Sequence, residues 1–221
     1  VTDPDAPAHR RQSMVLVPRE TPGVRIVRDM RVFGYDDAPS GHPEIVYDDV
    51  RVPAENMIGK LGEGLKIALA TLNVGRLGLP AAAIGVGMAF VDDARWWVTT
   101  RQQWGQPVGK HQAIARMVSS YAAHLFAMKS MVYLTCALAD RKNVDIRLEA
   151  AAAKYFCSET LYRILDDYLQ VRGGRGYERA TSLYERGERP TSVEMAIRDM
   201  RVGRIFEGSS QVMHLIMARE A

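Results

Sequence analysis

The spacing of hydrophobic and polar positions changes once along the chain, near Gly59. Before that point the pattern is short and strand-like. Ser13 to Pro18 (SMVLVP) is an apolar run ended by Pro18 and the turn Thr21-Pro22-Gly23, and it predicts a strand. Val24 to Arg28 alternates Val, Arg and Ile with a period of two, as a half-buried strand does. Phe33-Gly34-Tyr35-Asp36-Asp37 predicts a turn, and Glu44 to Val52 (EIVYDDVRV) a further strand closed by Pro53. So few antiparallel strands cannot bury a core alone, so they are expected to belong to a larger sheet.

From Gly62 onward the pattern is helical almost throughout. A helix begins at Glu63 and is expected to loosen at Gly75, Gly78 and Pro80 before an Ala-rich helix continues from Ala81 to Thr100. Trp104-Gly105-Gln106-Pro107 predicts a loop. His111 to Ala139 carries Ile114, Val118, Tyr121, Leu125, Met128 and Val132 on one apolar stripe. Asp145 is placed to cap a helix running to Arg172, with Ala150, Lys154, Cys157 and Leu161 near one side, and Gly173-Gly174-Arg175-Gly176 stops it. Ala180 to Pro190 reads as polar and irregular, and two short helices follow. Long helices with short connections predict an up-and-down four-helix bundle. The fold class expected is therefore mainly α, the bundle over 59–221 being preceded by a few antiparallel strands over 1–58.

Composition narrows this picture only slightly. With 221 residues, 47% hydrophobic and 25% charged, the chain has the make-up of an ordinary globular protein. A net charge of +3, spread along the chain, gives no footprint for nucleic acid. No uninterrupted apolar run approaches ~20 residues, so no membrane span is expected. Cys136 and Cys157 both fall inside predicted helices and make no disulfide framework, which points to a reducing compartment; the expected location is cytoplasmic, or mitochondrial in a eukaryote. The chain opens on Val1 and a polar Thr-Asp-Pro-Asp-Ala-Pro stretch, which suggests a fragment without a signal peptide.

The candidate chemistry concentrates at Arg198-Asp199-Met200-Arg201-Val202-Gly203-Arg204-Ile205-Phe206-Glu207-Gly208-Ser209-Ser210-Gln211. Arg198, Arg201 and Arg204 recur at helical spacing, Gly208 breaks the run, and Ser209 or Ser210 can cap the next helix. Glu207 then sits on a turn beside the free N–H groups of a helix start, where a carboxylate can move a proton and the amides can hold an oxygen that gains charge. A solvated turn residue fits the same position. Arg101-Gln102-Gln103-Trp104 joins a cation, amides and an indole between helices, which suits a diphosphate and a ring as well as it suits an interhelix loop. The glycines at 173–176 follow a helix rather than a strand, so they are no dinucleotide fingerprint and read, alone, as a helix stop. The five histidines show no metal spacing, and no metal ligand set is expected.

The order of these pieces resembles the C-terminal part of the acyl-CoA dehydrogenase family. The matching residues are Val52-Pro53 with Asn56 and Gly59, Gly62-Glu63-Gly64, Gly75-Arg76, Arg101-x-x-Trp104-Gly105-x-Pro107 with Gln112, Gln170-x-x-Gly173-Gly174-x-Gly176-Tyr177, Arg198-Asp199 and Ile205-Phe206-Glu207-Gly208-Ser209. Together they cover nearly the whole chain. Ser13 to Tyr35 is similar to the branch acting on long or unusual acyl chains. Residues 1–58 would then be the end of an incomplete middle β-barrel domain and 59–221 the helical domain.

The resemblance implies FAD as cofactor, an acyl-CoA as substrate and a trans-2-enoyl-CoA as product. It also implies an electron-transfer flavoprotein as acceptor and a homodimer or homotetramer with sites shared between subunits. Glu207 matches the glutamate that removes the α-proton. Some members place that base immediately before the Arg of the first long helix, where this chain has Gly75. By position Arg101, Gln103, Trp104, His111, Gln112, Gln170, Gly173, Gly174, Ser209 and Gln211 correspond to flavin contacts, and Asn73, Arg76 and Gly208 to positions near the acyl-CoA. Trp104 stands where Phe is usual, Ser209 where Thr is common, and the stretch between Tyr177 and Arg198 is longer than in the simplest members. The family's N-terminal helical domain and first β-strands have no counterpart here. Two alternatives stay open: a non-catalytic helical assembly module, and a relative that uses oxygen.

Overall fold

The computed structural model describes residues 2–33, 41–141 and 143–220. The Asn73 side chain lies outside the described residues, as do Gly34-Tyr35-Asp36-Asp37 of the expected turn. Contacts divide the chain into two units, Val1–Val74 and Gly75–Ala221.

The first unit holds β1 (Met14–Val15), β2 (Val24–Asp29), β3 (Pro43–Tyr47) and β4 (Met57–Ile58). β1 pairs with β4 and β2 with β3, both antiparallel, the second pair with an irregularity between Ile26 and Arg28. Among the described residues these are two separate ribbons, not the larger sheet expected. The half-burial expected of β2 is also missing, since only Val24 is partly covered. Alternation selects an extended backbone, but burial needs a second layer, which two-stranded ribbons do not supply. β1 is shorter than Ser13–Pro18 because Leu16 turns to Asn56. The Leu16 N–H donates to the Asn56 carbonyl at 2.9 Å, and the Asn56 side-chain amide donates to the Leu16 carbonyl at 3.0 Å. β3 stops at Tyr47 rather than Val52, because the Asp48 N–H donates to the Gly23 carbonyl at 3.0 Å and Asp49 turns left-handed at φ 43°. The Gly62-Glu63-Gly64 motif is a backbone junction in this unit. The Gly64 N–H donates to the Gln12 carbonyl at 2.8 Å, and a Cβ on Gly64 would lie 2.7 Å from the Ser13 carbonyl carbon.

One helix, α1 (Gly64–Thr100), runs without interruption through Gly75, Gly78 and Pro80, where it was expected to loosen. Pro80 removes one intrahelical donor, yet its ring is fully buried, and packing carries the helix through. The predicted Trp104 loop is a hairpin of β5 (Gln102–Gln103) and β6 (Gln106–Pro107). Trp104 at φ 48° and Gly105 at φ 77° give the two left-handed central residues of a primed turn, which matches strand twist. Then come α2 (Gln112–Ala139), α3 (Arg147–Arg172), α4 (Gly174–Tyr177), α5 (Ala180–Glu185), α6 (Val193–Met200), a 3-10 turn (Arg201–Arg204) and α7 (Ser210–Glu220). Ile146, not Asp145, occupies the N-cap of α3; the Asp145 carboxylate sits one residue further out and accepts the Arg147 N–H at 3.0 Å. α5 forms where an irregular stretch was expected. Leu183 is fully buried, and Glu178 and Glu188 pair with Arg186 and Arg175, so tertiary contacts supply what the polar sequence lacks.

The core of the second unit joins Ile84, Ala94 and Trp97 of α1, Tyr121, Met128 and Val132 of α2, Leu161, Ile164 and Tyr168 of α3, and Val193 and Ala196 of α6. The α2 stripe thus faces inward as its spacing predicts. α3 is the most enclosed helix, because Ala150, Ala151 and Ala153 let its neighbours approach closely. By length and composition alone α1 and α2 are apolar enough to cross a membrane, which a search for uninterrupted apolar runs does not anticipate. Here both contribute to the same core as α3.

Candidate active site

The chain leaves the 3-10 turn at Ile205 and enters two consecutive left-handed residues, Glu207 at φ 55° and Gly208 at φ 95°. Only glycine takes such a conformation without steric cost, so Glu207 is held there by its surroundings. The Ser209 hydroxyl accepts the Val212 N–H at 3.4 Å, and the Ser209 carbonyl accepts the Met213 N–H at 2.9 Å, which starts α7. Ser209, not Ser210, is therefore the capping hydroxyl. The Glu207 carboxylate lies against Gly75 of α1, where a Cβ would fall 2.8 Å from Oε2. Oε2 is buried and finds no hydrogen-bond partner among the described residues. An acceptor left unpaired in this way retains the lone pairs that a proton transfer requires.

Helix α3 holds this turn from two points. Lys154 is fully buried, and its Nζ donates to the Gly208 carbonyl. Glu159 pairs with Arg204 at 2.8 Å and accepts the Ser210 hydroxyl. Burial pushes the Glu159 carboxyl up, but the hydrogen bonds from Arg204 and Ser210 outweigh it and leave the group below the usual range. Burial pulls the Lys154 ammonium below its ordinary value; the Glu159 and Glu207 carboxylates oppose that shift and Arg76 adds to it. From α1, Arg76 Nε lies 3.5 Å from the Glu207 carbonyl oxygen.

A second feature is a cavity of about 370 Å³ at the end of α3. Its lining includes Arg101, Gln103, Arg172, Gly173, Gly174 and Arg175, over an apolar floor of Trp97 and Val108. Gly173 takes φ 61°, and a Cβ on Gly173 or Gly174 would meet open space, so backbone faces the cavity directly. Arg172 is 3% exposed. It lies 4.3 Å over the Trp97 ring and donates to Asp93 and to the Tyr168 hydroxyl at 3.3 and 3.1 Å. Asp93 also accepts from Tyr168 at 2.7 Å and Thr191 at 2.8 Å. Arg101 and Arg175 beside the open space at Gly173 and Gly174 suit a diphosphate, while Arg172 is committed to Asp93 beneath them.

The structure therefore gathers Arg101, Gln103, Gly173 and Gly174 in one cavity. His111 lies beside the hairpin, its Nε2 3.2 Å from the Gln103 carbonyl, its Nδ1 3.3 Å from the Gln106 amide and its ring edge-on to Trp104. Trp104 is 87% exposed, so it is not a packed anchor in this chain. Gln112 and Gln170 are exposed and do not line the cavity. Arg76, Gly208 and Ser209 gather at the Glu207 turn, and Gln211 is exposed on the first turn of α7. Asn73 lies within α1. Sequence reasoning assigned no role to Lys154 or Arg172. A lysine on the otherwise apolar stripe of Ala150, Cys157 and Leu161 is the signal for the first, and an arginine directly before Gly173 for the second.

Among known proteins, a family profile for the acyl-CoA dehydrogenase C-terminal domain matches residues 62–221. The chain is 47% identical over 209 residues to the Mycobacterium tuberculosis protein named "Probable acyl-CoA dehydrogenase FadE10", covering 95% of this chain and 32% of that one. It is 35% identical over 208 residues to the mitochondrial isobutyryl-CoA dehydrogenase of Dictyostelium discoideum, covering 94% and 47%. The structure of butyryl-CoA dehydrogenase from Megasphaera elsdenii superposes with a TM-score of 0.82 at 29% identity, covering 94% and 51%. The chain thus spans about half or less of the length of these relatives. Its helices, its ordered motifs and these likenesses agree: the chain belongs to the acyl-CoA dehydrogenase family.

Proposed function

We propose that this chain supplies the base and part of the flavin cradle for α,β-dehydrogenation of an acyl-CoA. The observation that carries the reading is the Glu207 carboxylate, fixed on a left-handed turn with Oε2 buried and unpaired among the described residues. An α-proton beside a thioester is weakly acidic, so its removal requires a base held at the carbon and donors at the developing enolate oxygen. Glu207 takes the proton onto its carboxylate, and the amides of its turn at the start of α7 are the donors. Arg76 beside the turn suits the anionic coenzyme A moiety.

The residues present fit a flavin dinucleotide. The diphosphate matches Arg101, Arg175 and the open backbone of Gly173 and Gly174. A flavin held there would supply the acceptor for the β-hydrogen as hydride, so that loss of the α-proton and of that hydride would give a trans-2-enoyl-CoA. Exposed Trp104 and Tyr177, 87% and 83% accessible, flank this cradle in sequence and suit a second copy of the chain, hence a homodimer or homotetramer. An electron-transfer flavoprotein is the acceptor in this reading.

The test is a flavin titration of the purified chain, followed by acyl-CoA without oxygen. Flavin binding with bleaching of the yellow band supports the reading. Absence of binding favours a helical assembly module, a second reading that the exposed Trp104 also suits. Oxygen consumption without an added acceptor would instead assign an oxygen-using relative.

A further inference from the structure

We propose that Lys154 is the positioning residue of the Glu207 turn: a buried cation on α3 that holds the Gly208 carbonyl and thereby fixes where the carboxylate one residue earlier points. The proposal rests on the reading of Glu207 as the base.

Lys154 is fully enclosed on a helix face that also carries the buried Ala150, Cys157, Ser158 and Leu161. An ammonium in such a place is costly unless it is hydrogen-bonded and near opposite charge. Both conditions meet at the turn. Its Nζ donates to the Gly208 carbonyl, and Glu159 and Glu207 are the carboxylates that favour its charged form. Burial and Arg76 act in the opposite direction. The turn needs such a hold because Glu207 and Gly208 are both left-handed, and a glutamate leaves that region unless something prevents it.

The geometry has a consequence for the amides. In a trans peptide the carbonyl and the following N–H point in opposite directions. Lys154 on the Gly208 carbonyl therefore turns the Ser209 N–H away from α3. By the same geometry, Arg76 near the Glu207 carbonyl turns the Gly208 N–H away from α1. Two cations from two helices thus set the orientation of two consecutive peptides. On the far side of the turn, Glu159 anchors Arg204 and Ser210, so α3 brackets the segment at both ends.

Two measurements test the proposal. Amide hydrogen exchange of the purified chain reads the hold directly. Lys154→Met should speed exchange over residues 205–211 by about tenfold or more while α2 and the rest of α3 stay protected. Lys154→Gln, which keeps a donor, should fall between the two. In the flavin-loaded protein, Lys154→Met should lower kcat for anaerobic flavin reduction by about 100-fold, the effect of misplacing a reacting group by an ångström. KM should stay within about threefold and flavin content should not change. Unchanged exchange in the turn, or kcat and flavin content falling together, would overturn the positioning role. If the wild-type protein binds no flavin, the reading of Glu207 fails, and the exchange experiment still decides whether Lys154 holds the turn. If Lys154→Met does not fold, Lys154→Gln carries both measurements.

Discussion

The Glu207 turn and the Gly173 turn both use left-handed backbone at a helix end, and they use it for opposite purposes. At Gly173 the chain leaves open space: a Cβ on Gly173 or Gly174 would meet no atom, and the side chains lining that space include the cations Arg101 and Arg175. At Glu207 the left-handed residue carries a long side chain; Gly75 and Arg76 of α1 lie against it, and Lys154 and Glu159 of α3 hold its neighbours Gly208, Arg204 and Ser210. One turn leaves open space beside cations. The other restrains a functional group of the chain itself. Glycine at the turn is sufficient for the first purpose, whereas the second requires glycine on the opposite helix.

The largest expected effect breaks the second turn outright. Glu207→Gln should abolish solvent exchange of the acyl-CoA α-proton, a loss of about 10³-fold or more, without changing flavin affinity. Exchange monitored by NMR checks it, and retained exchange would remove Glu207 from the role of base.

Gly75→Ala comes next and separates stability from chemistry. Its Cβ would lie 2.8 Å from Glu207 Oε2, so the flexible carboxylate must move. Activity should fall by about 10- to 100-fold. Thermal stability should hold or rise, since alanine favours a helix interior over glycine by about 1 kcal/mol.

Gly173→Ala tests the first turn. A Cβ there meets no atom, but φ 61° is strained for any side chain, so the variant should lose about 1–3 kcal/mol in a denaturant titration. Flavin affinity should fall with it, leaving α-proton chemistry at Glu207 untouched per flavin bound.

Smaller effects concern titration. Glu159 is held below its ordinary value, so its contribution to stability is complete above that value of 4.5 and is lost as pH falls through the lower folded value. The Tm difference between wild type and Glu159→Gln should therefore be widest near neutral pH and shrink on acidification below pH 4.5. Last, burial pushes the Cys157 thiol up to about 12, so a neutral-pH thiol reagent should label half-buried Cys136 first and reach Cys157 only on unfolding.

Much of the helical unit is legible in its sequence. The α2 stripe is an i, i+3, i+4 pattern, and such a pattern depends only on the geometry of one helix. The strands of the first unit are legible as strands but not in their burial, because alternation says nothing of what lies over a ribbon. Glu207 and Gly173 stand out because each adjoins a break in the helical pattern. Lys154 and Arg172 do not, because each sits within a continuous helix and takes its meaning from residues far away in sequence, Gly208 and Asp93 respectively.

By itself the sequence determined the long helices, their stops and the position of a carboxylate on a turn before the last helix, since these follow from local propensity and period. Only the tertiary structure decided that α1 passes through Pro80 unbroken, that residues 180–185 form a helix, and that the Glu207 turn is held by a buried lysine. Each of those outcomes depends on packing between elements distant in the chain, whose energy exceeds the local preference it overrides.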